Sequence, residues 1–254
     1  MKNAIITGAS SGIGKETAQY LYQQGWHLAI TDINQADLNT LSANWDADRF
    51  NLYVMDVTNE QQVKEVVEDY CQQHNNQLNL LFNCAGILDI GGFSDIPLAK
   101  HHLIFDVNIK GIMSTCYHCF EYLKNTKNAQ VINMSSASAT YGVPTFASYS
   151  ASKFAVKGLT EALEIEWQDY DIHVGDILPP FVATNMLDSQ TGQTQVINRL
   201  GVNLGAEDVV KAIAKQIKHP ILHRPVSMSF SALYYLSTIT PSWLNRFIMK
   251  CLTR

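Results

Sequence analysis

The chain has 254 residues, a net charge of −5, 46% apolar residues and 16% charged residues. This size and composition are typical of an ordinary globular protein that can bury a sizeable core. The acidic balance argues against nucleic acid as a partner, because nucleic-acid binding usually requires a basic face. The sequence contains no run of 18 apolar residues, so we predict no membrane-spanning helix.

Five scattered cysteines form an odd set that argues against a disulfide framework and favours a reducing, cytoplasmic compartment. The apolar run at the N-terminus is too short for a signal peptide and leads straight into a glycine loop. Cys116 and Cys119 form a C-x-x-C pair, but no second ligand pair accompanies them. We therefore favour two thiols packed near a helix face and expect no metal.

The first two-thirds of the chain alternates strand-like and helix-like segments. Apolar runs predict strands over 2–7, 27–31, 52–55, 78–82, 130–134 and 172–178. Helical spacing predicts helices over 11–24, 38–45, 60–74, 149–167 and 206–218, and two helices within 98–125 that bend near Gly111. This alternation predicts an α/β fold, a Rossmann-type doubly wound parallel sheet flanked by helices on both faces.

We expect residues 1–254 to form a single domain with three functional regions. Residues 1–135 are predicted to bind mainly a dinucleotide, and residues 136–225 to form the catalytic and substrate-loop region. Residues 226–254 form an apolar, amphipathic C-terminal extension. Within the second region, residues 188–203 are polar and glycine-punctuated and are predicted to form a flap over the substrate.

A glycine-rich segment follows the first predicted strand and opens the first predicted helix. Its glycines let backbone amides approach a pyrophosphate at a helix N-terminus, where the helix dipole favours an anion. An ordinary tight turn is the alternative for such a triplet alone, but the position between strand and helix favours phosphate binding. The expected cofactor contacts here are Gly8, Ser10, Ser11, Gly12, Ile13 and Gly14.

Asp32 ends the second predicted strand, eighteen residues after Gly14. A carboxylate there can accept hydrogen bonds from the adenosine ribose and would repel a 2′-phosphate. Residues 33–35 supply no lysine or arginine, so we favour NAD over NADP as the cofactor. A helix-capping or turn aspartate is the alternative interpretation.

Small and polar residues follow two further strands. Asp56 and Val57 are placed to face the adenine edge, although a strand-end turn explains Asp56 almost equally well. Asn83, Ala85 and Gly86 follow the fourth strand and present small side chains on which a cofactor can lie. Because ligands in such sheets bind beyond the carboxyl ends of the strands, we expect these residues at one site.

Tyr149 and Lys153 are four residues apart in a predicted helix, so their side chains share one face. A nearby ammonium lowers the pKa of a phenol, which is otherwise about 10. The pair therefore indicates a tuned acid/base beside a nucleotide, suited to hydride transfer between a nicotinamide and an alcohol or ketone. Taken alone, it also fits a half-buried tyrosine and a solvated lysine.

The chain closely resembles the short-chain dehydrogenase/reductase family over about residues 2–218. The resemblance is carried by Thr7-Gly8-x-x-x-Gly12-Ile13-Gly14, Asn83-x-Ala85-Gly86, Asn108, Ser136 and Tyr149-x-x-x-Lys153, in this order. It implies that Tyr149 exchanges a proton with the substrate oxygen, and that Lys153 lowers the tyrosine pKa and hydrogen-bonds the nicotinamide ribose. Ser136 would donate to the same oxygen, with Ser135 as a rival, and Asn108 would anchor a water that links Lys153 to solvent.

Pro179 and Pro180 follow the sixth predicted strand, where the family usually carries Pro-Gly. The resemblance implies that this segment contacts the nicotinamide through Pro179, the Val182 backbone and the Thr184 hydroxyl. Because proline has no N–H and a fixed φ, the path of the loop beyond Pro180 stays open.

The C-terminal tail differs from the family, whose glycine-rich closing strand is not evident. Thr240 and Pro241 predict a helix start. One face of that helix then carries Trp243, Leu244, Phe247, Ile248, Cys251 and Leu252. Three roles remain open: packing on the protein or a second subunit, covering an apolar pocket, or peripheral contact with a membrane.

These patterns predict an NAD(P)-dependent oxidoreductase, with NAD preferred, that acts on a secondary alcohol or ketone. The apolar tail favours a hydrophobic substrate such as a lipid, steroid-like or retinoid-like molecule. The family resemblance implies a homodimer or homotetramer. The alternatives are a non-catalytic dinucleotide-binding sensor or scaffold and a hydride-using epimerase, dehydratase or lyase.

Overall fold

The computed structural model describes residues 1–183 and 204–252 of the chain. Within these ranges, seven parallel strands form one sheet in the order β3-β2-β1-β4-β5-β6-β7. The strands are β1 Asn3–Thr7, β2 His27–Asp32, β3 Phe50–Val54, β4 Leu80–Asn83, β5 Ala129–Met134, β6 Ile172–Leu178 and β7 His223–Pro225. Because β1 pairs with both β2 and β4, the strand order reverses beside it.

Nine α-helices lie within the described ranges. They are α1 Gly12–Gln23, α2 Gln35–Ser42, α3 Glu60–Gln72, α4 Leu98–Phe105, α5 Gly111–Lys124, α6 Ala147–Trp167, α7 Ala206–Lys218, α8 Met228–Ile239 and α9 Ser242–Leu252. None of the described helices combines the length and apolarity needed to cross a bilayer.

Both faces of the sheet are covered by helices, and alternate strand residues point into two apolar cores. Ile5 of β1 packs in the core under α3, α5 and α6, whereas its neighbours Ala4 and Ile6 pack under α1, α2 and α7. Each fully buried aliphatic side chain stabilises such a core by about 1.5–3 kcal/mol. The predicted Rossmann-type doubly wound α/β fold is confirmed.

Several predicted bounds shift in the structure. The predicted bend near Gly111 is a π-helical turn, Asp106–Lys110, that joins α4 to α5. One additional residue in a turn displaces the helix axis in this way. Strand β3 begins at Phe50, two residues before its predicted start, and α6 begins at Ala147 instead of at Tyr149.

The C-terminal part contains two elements that the sequence did not predict. The edge strand β7 pairs in parallel with β6 through three residues, and α8 follows it directly. The predicted tail helix is present as α9. The predicted flap over 188–203 lies outside the described residues.

Candidate active site

A cleft of about 320 Å³ opens at the carboxyl edge of the sheet, where segments that follow β1 to β6 meet. Most of the sequence-predicted site residues line it: Gly8, Ser10, Ser11, Gly12, Ile13, Gly14, Asp32, Asp56, Val57, Ala85, Gly86, Ser136, Tyr149, Lys153, Pro179 and Val182. Asn83 and Asn108 are buried and do not belong to this lining. Thr184 lies outside the described residues.

The turn after β1 has space only for glycine at two positions. Gly8 has a φ of +70°, and a Cβ on it would lie 2.8 Å from the Ala85 amide nitrogen. A Cβ on Gly14 would overlap the carbonyl oxygen of Gly8. The Thr7 hydroxyl accepts hydrogen bonds from the amides of Cys84 (3.0 Å) and Ala85 (3.1 Å), so the turn is joined to the loop after β4.

The N-terminus of α1 opens into this cleft. Among the described side chains, none caps this helix end, and its first turn carries no acidic residue. The first amides of a helix have no intrahelical partner, and they coincide with the positive end of its dipole. Gly12, Ile13 and Gly14 therefore present backbone donors that fit a phosphate group.

Asp32 is held at one end of the cleft by two backbone amides. Its Oδ2 accepts from the Ser10 amide at 3.2 Å, and its Oδ1 accepts from the Asn34 amide at 3.1 Å. Each carboxylate oxygen keeps a further lone pair for a ligand hydroxyl. Among the described residues that line the cleft, Lys153 is the only lysine or arginine, so no other described lining residue offers a cation to a ligand at Asp32.

Asp56 shows the turn geometry that was the alternative to a cofactor role. Its Oδ1 accepts from both the amide and the hydroxyl of Thr58, at 2.8 Å each. Asp56 and Val57 also border the cleft. The Asp56 side chain therefore shapes the turn that brings Val57 to the cleft wall.

Ser136, Tyr149 and Lys153 meet at the other end of the cleft. Ser136 follows β5 and caps a short 3-10 turn, with its hydroxyl accepting from the Ser138 amide at 3.1 Å. Tyr149 lies in the first turn of α6 and is hydrogen-bonded to the Ser136 side chain. The Lys153 ammonium lies 5.5 Å from the centre of the Tyr149 ring.

Burial is the largest influence on the pKa values of Tyr149 and Lys153. It raises the pKa of Tyr149 to about 12, although the hydrogen bond from Ser136 acts in the opposite direction. Burial also lowers the pKa of Lys153 to about 8. The predicted lowering of the tyrosine pKa is therefore wrong for the chain by itself, because the loss of solvation is the larger effect.

The Asn108 side chain is hydrogen-bonded to the backbone of the loop after β4. Its Oδ1 accepts from the Ile87 amide at 2.8 Å, and its Nδ2 donates to the Ile87 carbonyl at 3.0 Å and to the Ser152 hydroxyl at 3.1 Å. Asn108 sits in the π-helical turn and is fully buried. It therefore ties the loop that carries Gly86 to α6, one residue before Lys153.

The Asn83 side chain points into a buried polar network beneath the cleft, formed with three neighbours. Its Oδ1 accepts from Thr115 at 2.7 Å, and its Nδ2 donates to Asn133 at 2.9 Å. Asn133 in turn donates to Thr160 at 2.9 Å. Asn83 and Asn133 are register partners at the ends of β4 and β5, so the network ties two strand ends to α5 and α6.

The two neighbouring serines after β5 have different surroundings. Ser135 donates its amide to Ile177, but its buried hydroxyl has no partner among the described residues. Ser136 is the serine paired with Tyr149. This pairing favours Ser136 over its rival for contact with the reacting oxygen.

The segment after β6 passes the cleft as a proline-rich turn. The Pro179 carbonyl accepts from the Ala137 amide at 2.9 Å. Val182 forms an isolated parallel bridge with Leu204, and the Ala183 amide donates to the Leu204 carbonyl at 2.9 Å. Val182 is thus held at the cleft wall despite the second proline.

Sequence reasoning missed an apolar wall beside Tyr149. Leu88, Phe146 and Phe181 line the cleft, and the two phenyl rings lie 5.8 Å apart. Phe146 stands three residues before Tyr149 and Phe181 directly follows Pro180, so proximity to known site residues was an available signal. The wall makes this end of the cleft suited to an apolar ligand.

The C-x-x-C cysteines lie in the apolar core on α5. Cys116 and Cys119 are buried, and burial raises the pKa of both thiols. The prediction of packed thiols is confirmed. Across the described ranges, no cluster of three histidine, cysteine or acidic side chains is arranged to hold a metal ion.

Comparison with known proteins identifies relatives with the same core. The profile of the family described as short chain dehydrogenase matches residues 2–195. The chain is 32% identical to 3-oxoacyl-[acyl-carrier-protein] reductase of Thermotoga maritima, over 74% of this chain and 76% of that one. It is also 32% identical to 3-ketodihydrosphingosine reductase of Bacteroides thetaiotaomicron, over 75% of this chain and 70% of that one.

A solved structure shows the same architecture. The short chain dehydrogenase/reductase from Burkholderia phymatum, crystallised with NAD, superimposes with a TM-score of 0.81. That match covers 92% of each chain at 24% sequence identity, so it supports the fold. With the family profile and the relatives above, it leads to one conclusion: this chain belongs to the short chain dehydrogenase family, a family of oxidoreductases.

Proposed function

We propose that the protein is an NAD-dependent oxidoreductase that transfers a hydride between the nicotinamide and a hydrophobic secondary alcohol or ketone. The observation that carries this proposal is the arrangement of one cleft. The glycine turn and Asp32 lie at one end of this cleft. Ser136, Tyr149 and Lys153 lie at the other end. A dinucleotide that binds along such a cleft would bring its reactive ring to the tyrosine.

The residues of the second end suit proton transfer to or from a substrate oxygen. When bound, an oxidised nicotinamide supplies the hydride acceptor and a positive charge. The Tyr149 hydroxyl is the general acid/base, and Ser136 holds the same oxygen by a second hydrogen bond. Lys153 is mostly protonated at neutral pH and favours the phenolate form. Lowering the Tyr149 pKa from about 12 to about 7 requires about 7 kcal/mol of added phenolate stabilisation.

The surroundings of Asp32 support NAD over NADP. Its carboxylate is anchored by two amides at the cleft edge, and no described lining residue offers a cation to a 2′-phosphate. Charge repulsion would then disfavour NADP. The contacts of Pro179, Val182 and Thr184 with the nicotinamide end, and a water anchored by Asn108, remain part of this proposal.

The apolar wall supports a hydrophobic substrate. Leu88, Phe146 and Phe181 line the same cleft, and the Phe146 ring lies 6.5 Å from the Tyr149 ring. The names of the two relatives described above each specify a 3-keto group, on an acyl chain and on a sphingoid base. A ketone or secondary alcohol on a long apolar chain therefore fits this cleft best.

We also propose a cytoplasmic homodimer or homotetramer. Exposed apolar side chains lie on α5 and α6, where a second subunit would bury them. They are Met113, Tyr117, Phe154 and Ile165.

A dinucleotide-binding sensor without turnover is the alternative function. The observation that favours it is the raised pKa of Tyr149, because a phenol with a pKa of about 12 is a weak acid and almost none of it is present as the phenolate base at neutral pH. A protein of this kind would bind NAD and leave every alcohol and ketone unchanged.

The test compares Tyr149→Phe with Tyr170→Phe, which alters an exposed tyrosine in the short turn after α6. Turnover is followed by NADH absorbance with ketones and alcohols of increasing chain length, and NAD binding is followed by calorimetry. We expect Tyr149→Phe to keep NAD binding and to lose about 10²–10⁴-fold in turnover, while Tyr170→Phe behaves as wild type. Wild-type turnover in Tyr149→Phe would refute the acid/base assignment, and NAD binding without any turnover in the wild type would favour the sensor.

A further inference from the structure

The outward face of α8 is apolar and its residues are exposed. Its five residues are separated by four, three, one and three positions along the chain, so they lie on one side of the helix. It consists of Met228, Ala232, Tyr235, Leu236 and Ile239. Met228 is 91% exposed and Ile239 is 79% exposed. A globular protein normally buries such a face or uses it as an interaction site.

The inward face of α8 fixes this orientation. Tyr234 is buried, and its ring lies 6.2 Å from that of His223 on β7. His223 is held on both sides, by Asp176 at 2.9 Å and by Glu161 at 3.0 Å. Rotation of α8 to bury its outer face would break this packing.

Helix α9 begins three residues after the end of α8 and adds exposed aromatic and basic side chains. Trp243, Arg246, Phe247 and Lys250 follow at spacings of three, one and three residues, so they share one side. All four are exposed. This side therefore combines large aromatic groups with cations, the composition found at the boundary between lipid tails and headgroups.

The charge of the tail is opposite to that of the rest of the chain. All 23 acidic residues lie at or before Asp208, whereas seven of the 18 lysines and arginines follow it. The segment 226–254 contains Arg246, Lys250 and Arg254 and no acidic residue. A symmetric contact between two tails would place these like charges together, whereas an anionic lipid surface would complement them.

The surface begins beside the cleft. The Val226 amide, just before α8, donates to the carbonyl of Leu178 at 3.0 Å. Leu178 directly precedes Pro179, which lines the cleft. The tail helices therefore leave the sheet at the same carboxyl edge at which the cleft opens.

From these observations we propose that α8 and α9 form a docking surface for an anionic lipid membrane. The exposed apolar side chains would enter the acyl boundary, and Arg246 and Lys250 would meet the headgroups. The chain would then bind peripherally, with the cleft edge turned towards the bilayer. This proposal goes beyond the catalytic assignment and does not depend on it.

The test is co-sedimentation of the full chain with vesicles of phosphatidylcholine, with and without about a quarter of phosphatidylglycerol. We expect binding to the anionic vesicles, weaker binding at high ionic strength, and little binding to phosphatidylcholine alone. Lys250→Glu and the double variant Trp243→Ala with Phe247→Ala should each reduce the partition coefficient about tenfold or more.

Two control variants alter comparable residues far from the tail. Leu98→Ala removes an apolar side chain that is 65% exposed on α4, and Lys64→Glu reverses an exposed charge on α3. Both should sediment as wild type, and circular dichroism should show all variants folded. If the wild type remains in the supernatant with anionic vesicles at low ionic strength, the proposal fails. It also fails if the tail variants bind the anionic vesicles as the wild type does. If the tail substitutions leave vesicle binding unchanged and instead dissociate an oligomer in gel filtration, the face is a subunit interface and the proposal is wrong.

Discussion

Lys153 donates a hydrogen bond of 2.8 Å from its ammonium to the carbonyl oxygen of Met134, the last residue of β5. The ammonium is buried, and burial lowers its pKa to about 8. The hydrogen bond from the end of β5 thus offsets part of the free-energy cost of removing the ammonium from water. The buried ammonium therefore lowers the stability of the fold, as expected for a group kept for the proposed function.

Replacing this lysine with an apolar residue should stabilise the fold at neutral pH. Below pH 8 the folded and unfolded states both carry the charge, and only the folded state bears the desolvation cost. Between pH 8 and about 10.5 the unfolded state binds more protons, so wild-type stability rises with pH. We therefore expect Lys153→Met to gain about 1–3 kcal/mol at pH 7, after the loss of one hydrogen bond, and less at pH 10.

Urea unfolding at the two pH values measures this difference. Lys64→Met, which changes an exposed lysine on α3, should show little effect at either pH. Destabilisation of Lys153→Met by the same amount at pH 7 and pH 10 would contradict the prediction.

Ser136 should control the ionisation of Tyr149. Its hydrogen bond lowers the tyrosine pKa against the effect of burial, so Ser136→Ala should raise that pKa above about 12. We expect turnover to fall about 10²–10³-fold and its optimum to move to higher pH. The matched control is Ser135→Ala, because the Ser135 hydroxyl has no partner among the described residues. An equal loss in both variants, measured in pH–rate profiles, would show that the pairing is not responsible.

Asp32 should determine the choice of dinucleotide through its charge. Asp32→Asn keeps the size and the acceptor oxygen but removes the charge, and Asp32→Ala removes both. We expect each variant to shift the ratio of kcat/KM for NAD and NADP towards NADP by about tenfold or more, which corresponds to about 1.4 kcal/mol. Asp169→Ala, at an exposed acid after α6, serves as the control. An unchanged ratio in both Asp32 variants would exclude the carboxylate as the selective group.

Asn108 should stabilise the cleft loop as well as the fold. Asn108→Ala leaves the amide and carbonyl of Ile87 without their side-chain partner, which costs about 2–4 kcal/mol. Removing the exposed amide in Asn51→Ala, whose side chain bonds only to Gln73 among the described contacts, should cost less than about 0.5 kcal/mol. Chemical denaturation provides both values. Similar losses of unfolding free energy in the two variants would argue against a stabilising role for the Asn108–Ile87 hydrogen bonds.

Two helical glycines should respond in opposite ways to alanine. A Cβ on Gly14 meets the backbone of Gly8, which cannot yield, whereas a Cβ on Gly158 in α6 meets nothing within 4 Å. We expect Gly14→Ala to cost about 2–4 kcal/mol and to weaken dinucleotide binding. Gly158→Ala should gain about 0.5–1 kcal/mol. Thermal unfolding and dinucleotide titration distinguish the two, and a gain in both would mean that the turn after β1 tolerates a side chain.

The sequence predicted the sheet because its central strands are continuous apolar runs that each end in a small or polar residue. Strand β7 escaped prediction, because it has three residues and includes Pro225. Helix α8 escaped because it is apolar on both faces, so no helical period stands out. Both elements exist through tertiary pairing with β6 and packing around Tyr234.

The site residues were predictable as a set, but their energetics were not. A spacing of four places Lys153 near Tyr149 without indicating how far burial raises the tyrosine pKa. Likewise, the motif position of Asn108 does not reveal that its partner is Ile87, 21 residues earlier. Contacts between distant segments decide these properties, and a local pattern carries no information about them.

The amide and hydroxyl network beneath the cleft consists of groups that neither gain nor lose protons in the working range of an enzyme. Asn83, Thr115, Asn133 and Thr160 therefore form a platform whose shape is independent of acidity. For the proposed reaction, a change in rate with pH would then arise from titratable groups that line the cleft, the phenol and the ammonium among them, and not from this platform.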